Sequence, residues 1–309
     1  MQLTKEHFQP ISMDLRQAEE IKRPSLSFWR DAWRRLRSNK VAMISMVFLA
    51  IIIIGAILVP ILSKYHIIEH NYYSNDLAGK NKAPSAEHWF GTDDLGRDVF
   101  VRIWYGAQIS LTVGIAAALI DLVIGVIWGG ISGYFGGRVD EVLMRIADII
   151  FAVPYLLVVI LLMVVFQPGV ITIILAMGLT GWINMARIVR GQVLQLKSQE
   201  YVLAALSLGA DSKRIIFKHL IPNVLGPILV TLSLSVPTAI FSESFLSFLG
   251  LGVSAPVASW GTMASDGLPA MRYYPWRLMF PAVFISLTML AFNLLGDGIR
   301  DAVDPRLRK

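Results

Sequence analysis

Residues 200–223 read EYVLAALSLGADSKRIIFKHLIPN, a polar segment between two strongly apolar stretches of this 309-residue chain. The pattern predicts an Ala- and Leu-rich first helix that stops at Gly209. A second helix over 213–220, capped by Ser212, is basic and amphipathic, and Pro222 closes the unit. Two interpretations remain open: the segment docks on a membrane surface or a partner protein, or it is a solvated loop between helices.

The composition indicates a membrane protein. Hydrophobic residues make up 55% of the chain and charged residues 16%, whereas soluble domains carry about 25% charge. The net charge of +6 is attributed to topology and not to nucleic-acid binding, because Lys and Arg collect in cytoplasmic loops. The absence of cysteine excludes disulfides, thiolate metal sites and cysteine nucleophiles. A long polar stretch precedes the first apolar run, so no cleavable signal peptide is expected.

Six apolar runs are each long enough to cross about 30 Å of hydrocarbon as a helix. They lie at 41–62, 109–131, 146–166, 170–188, 224–249 and 278–295. The third is expected to kink near Pro154. With both ends inside, 21 of the 28 Lys and Arg fall in inner segments and seven in outer ones. The sequence therefore predicts an all-α integral membrane protein with six transmembrane helices and cytoplasmic termini.

The chain is divided into five regions by these spans. They are a cytoplasmic segment (1–40) with an interfacial helix, the first span (41–62), an external loop (63–106), a five-helix core (107–299) that includes a cytoplasmic loop at 190–223, and a cytoplasmic tail (300–309). Trp29 and Trp33 between arginines predict the interfacial helix. A Thr92 cap is expected to start an amphipathic helix on the outer surface. The turn at 134–145 and the Gly- and Pro-rich stretch at 250–277 are expected to be loops.

Two of the acidic residues inside predicted spans, Asp121 and Glu243, are candidate functional residues. An aspartate at the centre of a spanning helix costs about 3 kcal/mol, so Asp121 should face protein or water. Gly125 and Gly129 follow it at a spacing that permits close helix approach. We interpret these three residues as part of a translocation path or of helix packing. Glu243 is interpreted as a transport residue, a structural hydrogen-bond partner, or a side chain that reaches the outer interface.

The chain lacks GxxxxGK[ST], HExxH and GxSxG motifs, so it holds no recognisable machinery for nucleotide hydrolysis, zinc proteolysis or acyl transfer. The adjacent Asp93 and Asp94 lack the spacing of a calcium loop, and no metal or cofactor site is predicted. The chain is therefore not expected to be an enzyme. Energy for uphill transport would come from a partner, and the segment at 200–223 is the candidate receiver.

Several motifs resemble a known family. Ala204, Ala205, Gly209, Ile221 and Pro222 resemble the cytoplasmic Glu-Ala-Ala, Gly, Leu-Pro loop of binding-protein-dependent ABC importer permeases, although Leu203 and His219 stand where the family has Glu and Ile. Five further motifs are similar to the dipeptide, oligopeptide and nickel branch, above all to its oligopeptide C-type subunits. They are FGTDDLGRDVFVR at 90–102, INMARIVRGQVLQLK at 183–197, ESFLSFLGLG at 243–252, SWGTMASDG at 259–267 and GDGIRDAVDPRLR at 296–308.

The resemblance implies a type I ABC importer permease in a bacterial or archaeal cell membrane. Its implied partners are a homologous second permease, two cytoplasmic ATPases that hold ATP and Mg, an extracytoplasmic peptide-binding protein and the lipid bilayer, with no nucleic acid. Implied ATPase-coupling residues are Ala204, Ala205, Gly209, Ala210, Asp211, Ser212, Arg214 and Pro222. Implied contacts to the binding protein are Asp93, Asp94, Arg97, Trp260 and Asp266.

The functional prediction is half of an import pathway for oligopeptides. Dipeptide, nickel and antimicrobial-peptide importers share the same motifs and stay as alternatives within the branch. A self-sufficient ion-coupled carrier or channel, with Asp121 and Glu243 as ion sites, is an alternative of another class. A membrane scaffold that recruits proteins through basic loops is a third.

Overall fold

The computed structural model describes residues 27–65, 76–253 and 256–303. Its helices are α1 (Phe28–Ser38), α2 (Lys40–Lys64), α3 (Val99–Phe135), α4 (Gly137–Ala152), α5 (Tyr155–Phe166), α6 (Val170–Thr180), α7 (Trp182–Leu196), α8 (Glu200–Ser207), α9 (Ser212–Arg214), a π-helical turn (Ile215–Leu220), α10 (Ile221–Phe248), α11 (Trp260–Gly267) and α12 (Trp276–Val303). No β-strand occurs in these ranges, so the all-α prediction is confirmed there. The predicted segments at 1–26, 66–75 and 304–309 lie outside the described residues.

Five continuous elements are long and apolar enough to span a membrane, namely α2, α3, α6–α7, α9–α10 and α12. The pair α4–α5 makes a sixth if its two bent halves count as one span, and its bend is 80°. Pro154 causes the break, because its ring disfavours a helical conformation at the preceding residue. The predicted kink is therefore confirmed. The predicted interfacial helix exists as α1, with Trp29 and Trp33 exposed, and its place at a membrane surface stays a prediction.

Helix α3 is longer than predicted, because the expected surface helix forms its first turns and continues for 37 residues. Asp98, and not Thr92, caps it by accepting a hydrogen bond from the Val101 amide. Thr92 is instead buried, and its hydroxyl donates to the Gly79 carbonyl. The amphipathic pattern of residues 97–104 suggested a helix with a solvent-exposed polar side. In the structure the loop before α3 covers that polar side, as the contact of Arg102 with Asp93 shows.

The glycine face of α3 packs against α7. A Cβ at Gly125 would lie 2.6 Å from Cβ of Met185, and one at Gly129 would collide with the Ala186 carbonyl. This is the close approach that the four-residue spacing predicts. The predicted turn at 134–145 is wrong, since α4 begins at Gly137 directly after a single turn residue, Gly136, with φ +65°.

Three helices extend beyond their predicted ends. Helix α7 reaches Leu196, α12 reaches Val303, and the helix that begins at Ser212 continues past Pro222 as α10. The last of these contradicts the prediction that Pro222 closes the preceding unit. The π-helical turn explains the difference, because the Ile221 amide donates to the carbonyl of Ile216, five residues earlier. Its wider spacing accommodates a proline at the start of the next α-helical segment, where no amide donor is needed. The stretch predicted as a loop at 250–277 contains α11 and the start of α12.

Candidate functional sites

The bend between α8 and α9 has a defined geometry. The Gly209 amide donates to the Leu206 carbonyl at 2.9 Å, and the Ala210 amide to the Ala205 carbonyl at 3.0 Å. This pair of bonds, with Gly209 at φ +80°, is a Schellman motif that satisfies the last carbonyls of α8. Asp211, and not the predicted Ser212, caps the next helix by accepting from the Arg214 amide at 3.2 Å. The sequence therefore fixes the bend at both sides.

One side of the segment at 200–223 packs against α7. Val202 and Ile215 are completely buried, and they pack in one cluster with Val189 and Val193 of α7. Leu220 adds a third buried side chain from the π-helical turn. Burial of each such side chain contributes about 1.5–3 kcal/mol. The bend is thus held rigidly against α7 and is not a loosely attached loop.

The outer surface of the segment is open. Of the residues that the family resemblance implicates, Ala204, Gly209, Asp211, Arg214 and Pro222 are exposed, and Ala205, Ala210 and Ser212 are half-buried. A Cβ at Gly209 would meet nothing within 4 Å. All eight residues consequently lie along one short stretch whose free side is available to another molecule.

Apolar side chains on this surface were not predicted as contact residues. Leu208 is 89% exposed, and Leu203, Leu206 and Phe217 are also exposed. Val202 is the one side chain of α8 that is buried, so the other apolar residues of that helix cannot all face the bundle. The sequence did contain a signal for these contact residues: α8 is rich in leucine, but only one of its side chains is buried against the bundle. We call these four exposed residues the apolar platform, and exposed apolar side chains that lie close together are typical of a protein interface.

A cavity of about 340 Å³ lies between α3, α5, α6, α7 and α10. Asp121 and Tyr155 line it, and the Asp121 Oδ1 and Tyr155 hydroxyl are buried without a hydrogen-bond partner among the described residues. Asn184 of α7 and the α10 hydroxyls of Thr231 and Ser235 add polar lining. The carboxylate that the sequence placed in a span therefore faces an open cavity with a mixed polar and apolar lining.

Glu243 does not reach the outer interface, because it is fully buried. Its carboxylate accepts hydrogen bonds from Ser110 of α3 at 2.9 Å and from Ser247 at 2.7 Å. The Ser110 oxygen in turn accepts from the Trp260 amide at 3.2 Å. Glu243 consequently joins α3, α10 and α11, as the structural alternative for this residue describes, and it does not line the cavity of Asp121.

A network of charged residues holds the loop before α3 against α11 and α12. The carboxylate of Asp93 accepts from the Arg97 amide and side chain, the latter at 2.6 Å, and lies 3.4 Å from Nε of Arg102. Arg277 at the start of α12 pairs with Asp94 at 3.2 Å and donates to the Asp266 carbonyl. Partial burial raises the pKa of the Asp266 carboxyl, which the nearby arginines partly offset.

The five residues implied as binding-protein contacts fall into two groups. Asp93 and Trp260 are buried, and the Trp260 indole donates to the Ile103 carbonyl at 2.9 Å. Asp94 and Asp266 are exposed, and Arg97 is half-buried. Burial does not support a direct contact by Asp93 or Trp260, which instead stabilise the loop on which the exposed residues stand.

Comparisons with known proteins agree with this architecture. The profile of the family described as binding-protein-dependent transport system inner membrane component matches residues 121–309. That of the N-terminal TM domain of oligopeptide transport permease C matches residues 27–84. A chain of the MetNI methionine ABC transporter, solved in an inward-facing form, shares the fold with a TM-score of 0.55 at 16% identity, covering 64% of this chain and 94% of that one.

Curated relatives match along nearly their whole length. The oligopeptide transport system permease protein OppC of Bacillus subtilis is 62% identical, covering 99% of both chains. The dipeptide transport system permease protein DppC of the same organism is 58% identical, covering 95% of this chain and 91% of its own. OppC of Escherichia coli is 44% identical, covering 94% and 95%. This chain therefore belongs to the family of inner-membrane permease components of binding-protein-dependent ABC transport systems.

Proposed function

We propose that this chain is one of two permease subunits of an ATP-driven importer of oligopeptides in a bacterial cell membrane. The observation that carries the proposal is the 62% identity to an oligopeptide permease over 99% of both chains. The chain contributes helices to the translocation path, and it has no nucleotide site of its own. ATP and Mg are bound by two partner ATPases, and an extracytoplasmic protein delivers the peptide.

In this assembly the apolar platform and the bend at Gly209 contact a cytoplasmic ATPase. Two features support this role: the segment is open on one side, and it is fixed to α7 on the other by Val202 and Ile215. A docked element can transmit a partner's movement only if it is rigidly attached to the spans. The proposal places this end of the bundle in the cytoplasm and the exposed Asp94 and Asp266 at the outer face, toward the binding protein.

Dipeptide import is a second candidate, favoured by the 58% identity to a dipeptide permease. The two candidates differ in the length of peptide that the complete transporter accepts. Uptake of labelled dipeptides, tripeptides and pentapeptides separates them: uptake of pentapeptides is expected of an oligopeptide importer, and uptake restricted to dipeptides is expected of a dipeptide importer.

The experiment reconstitutes this chain with its second permease, ATPases and binding protein in proteoliposomes and measures uptake with and without ATP. The expected result is peptide accumulation that requires ATP and every subunit. A matched sample contains this chain alone. Peptide transport by the single chain without ATPases would overturn the proposal in favour of a self-sufficient carrier, and peptide binding without any uptake by the full complex would exclude an importer.

A further inference from the structure

We propose that Asp121 and Tyr155 form a site that binds a protonated amine of the peptide during its passage. This inference rests on the proposed function, since it assigns a role to the cavity within that import path. The cavity, at about 340 Å³, is large enough for the end of a peptide or for one side chain. Asp121 is the one charged side chain among the described residues that line it.

Both residues have buried polar atoms that lack a partner. Five buried side-chain atoms without hydrogen bonds occur in the described part of the chain, and the Asp121 Oδ1 and the Tyr155 hydroxyl are two of them. Leaving such a group unpaired costs about 1–3 kcal/mol, and more when the group is charged. A carboxylate that served helix packing alone would be expected to accept a hydrogen bond from its neighbour. Two unpaired groups in one cavity therefore point to a ligand.

Three hydroxyl groups of α10 in the cavity wall already donate their hydrogens to the backbone of their own helix. Thr231 donates to the Pro227 carbonyl at 2.9 Å, and Ser235 donates to the Thr231 carbonyl at 3.1 Å. Thr238 donates to the backbone in the same way, to Leu234 at 2.9 Å. A hydroxyl has a single hydrogen, so these three oxygens can offer only acceptor lone pairs to the cavity.

An acceptor-rich wall beside a carboxylate complements an ammonium group, which has three donors and no acceptor. A peptide carboxylate would meet like charge at Asp121 and acceptors on α10. The peptide contains an ammonium at its amino terminus and, in some sequences, on a lysine side chain. These are two sources of the same chemistry, and acetylation of the terminus separates them.

The lack of a side chain at Gly181 leaves the space that the Asp121 carboxylate occupies. It joins α6 to α7, and a Cβ at this position would lie 2.5 Å from Oδ1 and 2.6 Å from Oδ2 of Asp121. An alanine here would therefore displace the carboxylate without removing its charge. Gly181→Ala is thus a second variant, independent of Asp121→Asn, that disturbs the same site.

The test uses the complete transporter in proteoliposomes with saturating binding protein. Initial uptake is measured for trialanine, N-acetyl-trialanine and N-acetyl-Ala-Lys-Ala, each corrected for its binding to the isolated binding protein. In the wild type, the two peptides with an amine are expected to enter about tenfold faster than N-acetyl-trialanine, the factor that one charge-assisted hydrogen bond provides. Asp121→Asn and Gly181→Ala are expected to bring this ratio close to one. Asp297→Asn, the same change at an exposed position of α12, should leave it unaltered.

A ratio of one in the wild type overturns the inference, and so does an unchanged ratio in either variant that assembles. If Asp121→Asn does not assemble, Gly181→Ala decides alone, with ATPase activity as the check of assembly. If the variants lose only the faster uptake of trialanine over N-acetyl-trialanine, the site binds the amino terminus of the peptide. If they lose only the faster uptake of N-acetyl-Ala-Lys-Ala, the site binds the lysine side chain. Absence of ATP-dependent uptake in both the wild type and Asp297→Asn overturns the proposed function instead.

Discussion

Replacing Gly209 with tryptophan is expected to abolish peptide uptake while the protein remains folded in the membrane. The residue has φ +80°, where a side chain costs about 1–2 kcal/mol of backbone strain. A Cβ at this position meets nothing within 4 Å, so the first atom of the new side chain has open space. This cost is small beside typical domain stabilities of about 5–15 kcal/mol. The loss of function would therefore arise where the side chain enters the proposed interface with the ATPase.

The assay measures ATP-driven uptake in proteoliposomes together with co-purification of the ATPase subunits. We expect uptake to fall at least tenfold, which corresponds to about 1.4 kcal/mol of lost docking energy. Gly250→Trp is the matched control: that glycine has φ +78° and also meets nothing within 4 Å, but it follows α10 at the opposite end of the bundle. This control should retain the ATPases.

Two smaller substitutions separate strain from contact. Asparagine tolerates positive φ better than alanine does but is larger. If strain in the bend were responsible, Gly209→Asn would transport better than Gly209→Ala. If contact with the partner is responsible, as we expect, the order is reversed. Wild-type uptake by Gly209→Trp would refute the coupling role of this segment.

Gly129→Ala should destabilise the protein by about 1–3 kcal/mol, because the new methyl group collides with the Ala186 carbonyl. Gly191→Ala is the control and should be neutral or stabilising, because its Cβ meets nothing within 4 Å. Thermal unfolding in detergent compares the two variants, and equal shifts in their melting temperatures would contradict the packing of α3 on α7. Glu243→Leu should lower stability by about 1–3 kcal/mol for each hydroxyl left without its acceptor, and Glu243→Gln by less. The same melting assay tests this, and equal effects of the two variants would be contrary to it. Arg190→Met and Asp140→Asn should each lower the free energy of unfolding, because the two side chains form a bidentate ion pair. Since the pair is partly exposed, a double-mutant cycle should give a coupling energy of about 1 kcal/mol. If the effects of the two substitutions simply add in the double variant, the ion pair contributes nothing to stability.

Local features were predictable from sequence, and long-range ones were not. Pro154 and Gly209 act on their own backbone, so the kink and the bend followed directly from residue type. Continuation through Pro222 depends on a π-helical turn, which local propensity does not encode. The hydrophobic pattern likewise could not show that a loop would cover the polar side of the first α3 turns.

The candidate sites follow the same division. The position of Asp121 in a span was evident, since any charge in an apolar run is conspicuous. Its position in a cavity with Tyr155 depends on how five helices meet. The burial of Glu243 depends on Ser110, 133 residues away. Distant partners of this kind are set by tertiary packing and have no signature in the adjacent sequence.

The helical element from Ser212 to Phe248 runs without a gap and contains the π-helical turn, Pro227 and Pro237. Its 37 residues measure about 55 Å at 1.5 Å per residue. One end lies beside the bend at Gly209, and its middle supplies Thr231 and Ser235 to the cavity wall. A tilt of about 5° around the midpoint would move each end by about 2.4 Å in opposite directions, given that length. A movement at the end beside Gly209 would thus reach the far end of the helix to the extent that the helix stays straight at the π-helical turn, Pro227 and Pro237.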